Sequence, residues 1–200
     1  SLVLKPNQSG NLNFEDIFTI AVNTPIITTD SSKITLIDKD SIPVKYTSSL
    51  DSLDNSLQID FKKEPNQRYR LGILPGLIQD FFGNTNDTIV YNLKMNTYAD
   101  YGNLDLTLNG NVTYPVIVHL TDEKGLIKRE IYATEPKIFS FKNISPGKYL
   151  VRVISDSNKN KKWDTGNYLK KIQPERVSHS PKVIEMRANW KENYDFILLD

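Results

Sequence analysis

The sequence predicts an all-β protein built as two tandem β-sandwiches, and three observations predict it. Apolar residues recur with period two through most of the chain. Turn residues separate these runs at intervals of roughly 8 to 12 residues, the spacing of short antiparallel strands. No stretch of about 11 residues carries apolar positions at i, i+3, i+4 and i+7 without Pro, Gly or a β-branched cluster, so helices are not expected. A chain of 200 residues is long enough for two domains of about 100 residues, each with its own core.

The elements follow in order. Phe18, Ile20 and Val22 alternate with Thr19 and Ala21, Ile34 and Leu36 flank Thr35, and Leu57, Ile59 and Phe61 alternate with polar partners. Each run reads as a half-buried strand. Tyr69, Leu71 and Ile73, then Ile89, Tyr91 and Leu93, continue the pattern, with turns at Pro65-Asn66 and Gly83-Asn84. Six or seven strands are expected by residue 95. The alternation lapses around Ala99-Asp100, which places the first sandwich over residues 1–96 and the second over 97–200. In the second half Leu104, Leu106 and Leu108 precede an Asn109-Gly110 turn, and Val116, Val118 and Leu120 lead into an Asp122-Glu123-Lys124-Gly125 hairpin. Phe139 and Phe141, then Tyr149, Val151 and Val153, form further strands around Pro146-Gly147. A polar Asp/Asn loop over 156–168 follows, and Phe196 and Leu198 close the fold.

Composition excludes several function classes. Cysteine is absent, which removes disulfides, thiolate metal sites and a cysteine nucleophile. Lys and Arg number 25 against 24 Asp and Glu, so no overall field draws the chain to nucleic acid. No apolar run approaches the roughly 20 residues of a spanning helix. The opening residues carry neither Met nor a signal sequence, so the chain reads as the interior or mature part of a longer protein.

Catalytic readings find no support in the motifs. His119 lies in the strand Val116 to Leu120 and His179 in a Ser-rich turn, and no nucleophile motif accompanies either. Asp122 and Glu123 sit at a hairpin tip, where solvation explains them. The nine glycines are scattered singly and form no phosphate-binding loop. No catalytic residue is assigned, and the chain is read as a non-enzyme.

One constellation points to chemistry. Asp156, Asn158, Asn160 and Asp164 occupy positions 1, 3, 5 and 9 of an EF-hand-like loop, with Lys162 placed to offer its carbonyl at position 7. Alternate side chains on a tightly curled loop converge on one centre, as an oxygen-seeking cation requires. Position 6, normally Gly, is Lys161, and position 12, normally a bidentate Glu, is Asn167. Lys159, Lys161 and Lys162 oppose a divalent ion. Two readings stand: a calcium site of the weak extracellular class, on the order of 10⁻⁴ to 10⁻³ M, or a polar hairpin loop rich in turn-forming Asn and Asp. Apart from calcium no cofactor is implied.

Trp163, Tyr168 and Trp190 are the aromatics to weigh for binding, either by stacking on sugar rings or by entering a partner's pocket. The alternative for each is packing over the open end of a sandwich. Lys170 and Lys171, with Lys159, Lys161 and Lys162, suit an acidic partner or form a solvated face.

Two resemblances bear on these readings. FTIAVNTP (18–25), SKITLID (32–38), NQRYRL (66–71) and LIQDFFG (77–83) resemble the bacterial Ig-like domain of surface proteins, in which a D-x-x-G-N element follows a Y-x-L strand; Asp80 to Asn84 fits that element. YGNL (101–104), YPVIV (114–118), SPGKYLVRV (145–153), DSNKNKKWDTG (156–166) and NYLKKIQPE (167–175) resemble a prealbumin-like or collagen-adhesin B-type sandwich of Bacteroidota lipoproteins. The resemblance implies an exported module at the outer membrane or cell surface, held to the membrane only through a lipid anchor outside this sequence. It also implies a protein partner at the outer membrane, or a glycan, as the thing contacted. Three triplets beginning at Asp40, Asp51 and Asp87 resemble O-glycosylation acceptors of exported Bacteroidota proteins, with Ser41, Ser52 and Thr88 as the modified residues. The functional expectation is an interaction or spacer module, such as an accessory subunit of an outer-membrane complex, with a carbohydrate-binding accessory protein and a passive stalk as alternatives.

Overall fold

Alternating burial on short strands accounts for most of the architecture seen in the computed structural model, which describes residues 2–199. The chain divides into two compact units, Ser1–Thr97 and Tyr98–Asp200. Both are all-β, and each has a separate core.

The first unit contains β1 (Leu4–Pro6), β2 (Asn11–Leu12), β3 (Phe18–Val22), β4 (Ile26–Thr29), β5 (Ile34–Asp38), β6 (Tyr46–Asp51), β7 (Ser56–Phe61), β8 (Arg68–Ile73), β9 (Ile78–Asp80) and β10 (Ile89–Met95). One sheet runs β1-β3-β7-β6, a second β2-β10-β8-β5, and β4 pairs with β9. Inward residues from both sheets, including Phe18, Ile20, Leu57, Ile59, Leu71 and Leu93, form one cluster. Full burial of each such side chain contributes about 1.5–3 kcal/mol. Ten strands therefore precede residue 96, more than the six or seven expected. β1, β2, β4 and β9 are too short to show a period, and β6 is mostly polar, so hydrophobic alternation does not reveal them. Asn66 (φ 57°) and Gly83 (φ 79°) adopt the left-handed conformation in the two turns read from the sequence.

The second unit contains β11 (Gly102–Gly110), β12 (Val116–Asp122), β13 (Ile127–Ala133), β14 (Phe139–Ile144), β15 (Gly147–Ser155), β16 (Val177–His179), β17 (Ile184–Met186) and β18 (Lys191–Leu198). The sheets are β14-β11-β18 and β13-β12-β15-β16, with β17 also on β15. β18 runs parallel to β11 over its whole length, Asn103 facing Lys191 and Gly110 facing Leu198. Phe139, Leu104, Val118 and Val151 lie in the core between the sheets. His179, expected in a turn, is the last residue of β16, where it faces Arg152.

β12 departs from simple alternation. Ile117, His119 and Thr121, on the face away from the core, are nearly as buried as Val116, Val118 and Leu120. The strand lies between β13 and β15, so side chains from both neighbours shield its outer face.

Candidate functional site

The second unit's longest connection joins β15 to β16 over residues 156–176, beyond the roughly 12–15 residues that irregular loops in compact domains seldom exceed. Its two ends are tied together, since the Ser155 N–H donates to the Arg176 carbonyl at 3.0 Å. Asp156, the first residue past β15, is fully buried.

From Asp156 the chain curls around its own side chains. The Asp156 carboxylate accepts the backbone N–H groups of Asn160 at 3.1 Å and Lys161 at 2.9 Å. Asn158 Oδ1 accepts the Asn160 N–H at 3.0 Å, and Asn160 Oδ1 accepts the Lys162 N–H at 2.8 Å. Asp164 Oδ2 accepts both side-chain amides, from Asn158 and Asn160, at 2.6 Å each. Lys161 holds φ at 63°, the left-handed conformation for which glycine is the ordinary choice. Asp156, Asn158, Asn160 and Asp164 are thus brought to one small loop. Lys162 enters this network through its backbone.

Glu175 closes the loop, and sequence reasoning missed it. Its carboxylate accepts the Ser157 N–H at 2.7 Å and the Ser157 hydroxyl at 3.0 Å through Oε1, and the Asp164 N–H at 3.1 Å through Oε2. Glu175 N–H returns a bond to the Asp164 carbonyl. Asn167, which stands at position 12 where a closing Glu is normal, starts a separate small hairpin: it is bridged to Ile172 and its Oδ1 accepts the Lys170 N–H. The reason is the intervening segment 165–174, which moves the closing carboxylate well beyond its usual spacing. A carboxylate directly after Gln173-Pro174, at the end of a polar loop, was the available signal.

Among the described residues no three His, Asp or Glu side chains are gathered so that they hold a metal by themselves. A cation here would need amide and carbonyl oxygens beside the carboxylates, as oxygen-binding loops use. It would replace the two amide donors now at Asp164. Lys161 Nζ instead lies 5.4 Å from the centre of the Tyr132 ring. Burial pushes the Tyr132 phenol up, and the neighbouring Asp156 carboxylate adds to that shift.

Of the remaining candidates, Trp163, Tyr168, Lys170 and Lys171 fall on the arm of this loop. Trp163 is about half exposed, at 49%, and its indole N–H donates to the Glu175 carbonyl at 3.2 Å. Tyr168, Leu169, Lys170 and Lys171 form the tip of the 167–172 hairpin, and Tyr168 and Leu169 are 95% and 92% exposed. The structure separates Trp163, anchored at the base, from Tyr168 at the tip. Trp190, just before β18, is also exposed, and its indole N–H donates to Glu192.

His119 belongs to a cross-strand row. Its Nε2 lies 2.8 Å from Glu130 Oε2, and its Nδ1 lies 3.1 Å and 2.8 Å from Nε and Nη2 of Arg152. Burial pushes its pKa down, Arg152 acts in the same direction, and Glu130 opposes both. His119 is 5% exposed.

No curated protein matches the chain. Solved structures with similarity include native alpha-2-macroglobulin from Escherichia coli spanning domains MG0-NIE-MG1, at 10% identity and TM-score 0.41, covering 88% of this chain and 70% of that one. BcpA, the major pilin subunit of Bacillus cereus, aligns at 10% identity and TM-score 0.31 over 98% of this chain and 69% of its own. The BSP domain of a biofilm associated protein aligns at 13% identity and TM-score 0.31 over 96% of this chain and 29% of its own. Residues 96–193, which span most of the second unit and the whole 156–176 loop, match the family described as "Uncharacterized protein conserved in bacteria (DUF2141)".

Proposed function

We propose that this chain is a non-enzymatic interaction module, exported and displayed at a bacterial surface, whose contact region is the 163–172 arm of the second unit. The observation that carries the reading is the nearly full exposure of Tyr168 and Leu169 beside Lys170 and Lys171, at the tip of a hairpin whose base is fixed by Glu175 and Trp163. A hairpin whose backbone is already ordered avoids the loop-ordering cost of binding. The mixed apolar and cationic tip suits a protein with an apolar pocket and an acidic rim. The Bacteroidota lipoprotein resemblance over roughly residues 100–198 supports an outer-membrane setting, and an Ig-like first unit followed by a prealbumin-like second unit belongs to the same reading. The test is affinity isolation of the full-length protein from its native membranes, with the wild type beside Tyr168→Ser/Leu169→Ser and Lys170→Glu/Lys171→Glu variants. A stoichiometric partner lost from both variants supports the reading; a partner retained by both overturns it.

A second role rests on the loop base. Asp156, Asn158, Asn160, the Lys162 carbonyl and Asp164, closed by Glu175, form a calcium loop that stiffens the arm. Its support is the folding of backbone amides onto Asp156, Asn158 and Asn160, which gathers these side chains and Asp164 in one short loop. The ion would be structural, because loop ligands on every side leave no open position for a substrate.

A further inference from the structure

The outer face of the sheet β2-β10-β8-β5, in the first unit, carries a cationic groove that none of the sequence motifs indicated. Register places the side chains: Asn11 pairs with Lys94, Lys94 with Arg68, Asn92 with Arg70, and Arg70 with Ile37. Arg68 and Arg70 alternate with the buried Tyr69 and Leu71, so both project from the outer face, roughly 7 Å apart along the strand. Lys39 lies just past β5 on the same rim. Together these residues bound a concavity of about 520 Å³.

Three features suit this groove to an anion. Lys39, Arg68, Arg70 and Lys94 are exposed, and among the described residues none of their side chains makes an ion pair or hydrogen bond. The one carboxylate on the rim, Asp38, is already engaged, with Oδ1 accepting the N–H groups of Asp40 and Ile42 at 2.9 Å each. Beyond Arg70 the groove continues into a hollow of about 280 Å³ over Gly72, between Val90 and Thr35. Glycine is required at this point because Thr35 packs over it: a Cβ on Gly72 would stand 2.4 Å from Thr35 Oγ1.

We propose that the groove binds an acidic polysaccharide, with Arg68, Arg70, Lys94 and Lys39 pairing its carboxylate or sulfate groups and the amides of Asn11 and Asn92 pairing its hydroxyls. Guanidinium forks match planar carboxylates and sulfate oxygens. Amides supply both donor and acceptor for vicinal hydroxyls. A single-stranded nucleic acid would need aromatic faces on which to stack bases, but Tyr69 turns into the core at 3% exposure. An acidic peptide shares the carboxylates but lacks the vicinal hydroxyls that the amides of Asn11 and Asn92 would pair. This proposal does not depend on the role proposed for the 163–172 arm.

The test uses the full chain against polygalacturonate, heparin, neutral dextran and poly-L-glutamate, with binding measured from low to physiological salt. The expected result is binding to polygalacturonate, heparin or both, weakening as salt rises, absent for dextran, and at least tenfold tighter than for polyglutamate. Preference for polygalacturonate assigns carboxylates as the ligand groups, and preference for heparin assigns sulfates. Arg68→Ala/Arg70→Ala should weaken binding roughly 10- to 100-fold, the loss of charge-assisted hydrogen bonds. Asn92→Ala should weaken glycan binding and leave polyglutamate unchanged. Because the substituted side chains are exposed, a melting temperature within a few degrees of wild type verifies folding, and Arg70→Gln replaces the double variant if it does not hold. Absence of binding, equal binding to polyglutamate, or binding indifferent to the arginine substitutions would overturn the proposal.

Discussion

The Glu175 carboxylate accepts the backbone N–H of Asp164 at 3.1 Å, although the residues stand 11 positions apart, and with Ser157 on its other oxygen it joins the two sides of one loop. Removing it leaves the Ser157 and Asp164 amides without their partner. Glu175→Ala should therefore destabilise the second unit by about 1–3 kcal/mol. Chemical denaturation followed by tryptophan fluorescence checks this, and an unchanged midpoint would show that water replaces the carboxylate without loss.

The calcium role makes a separate claim. Millimolar calcium should raise the melting temperature of the wild type, and the rise should vanish in Asp156→Asn/Asp164→Asn and in Glu175→Gln. At a concentration ten times the dissociation constant the gain is about 1.4 kcal/mol. A melt unmoved by calcium in the wild type sinks the metal reading while leaving the polar-loop role intact.

Lys161, like Lys159, holds a left-handed backbone, with φ 63°, and carries a positive charge in the same loop. Lys161→Gly relieves the backbone conformation and removes the opposing charge, so calcium should bind more tightly, by roughly tenfold if the two effects reach about 1.4 kcal/mol together. Calorimetric titration of the two proteins side by side reads the difference, and equal affinities would place the ion elsewhere.

His119 provides a pH dependence with a definite sign. Burial, helped by Arg152 and opposed by Glu130, holds its pKa below the ordinary value of 6.5. The unfolded chain then binds the proton more readily than the folded one, so His119's contribution is complete above about pH 6.5 and is lost as pH falls through the folded-state value. Denaturation midpoints from pH 8 to 5 should fall more steeply for wild type than for His119→Gln; parallel curves would contradict the assignment.

Each unit has its own core, so core truncations should act locally. Phe18 and Phe139 are both fully buried, and replacing either with Ala should cost about 3–5 kcal/mol in its own unit. Amide hydrogen exchange separates the effects. Phe18→Ala should speed exchange in β3, β7 and β8, and Phe139→Ala in β11, β12 and β14.

The sequence by itself determined the all-β class and most of the core. Period two on Phe18, Ile20 and Val22, on Tyr69, Leu71 and Ile73, and on Leu104, Leu106 and Leu108 marks buried faces because successive strand side chains point to opposite sides. The same alternation placed Arg68 and Arg70 outward, but their meaning was not legible, since Lys94, Asn92 and Asn11 join them only through strand pairing. The loop positions from Asp156 to Asp164 were legible because their spacing is local. Glu175 was not, because the intervening hairpin carries it far along the chain before the end of the loop returns to Asp164. Tertiary structure alone decided that His119 is buried on the outer face of β12, where Glu130 and Arg152 approach from both neighbouring strands. Local periodicity records which face a residue occupies; only the partners on adjacent strands decide what that face is covered by.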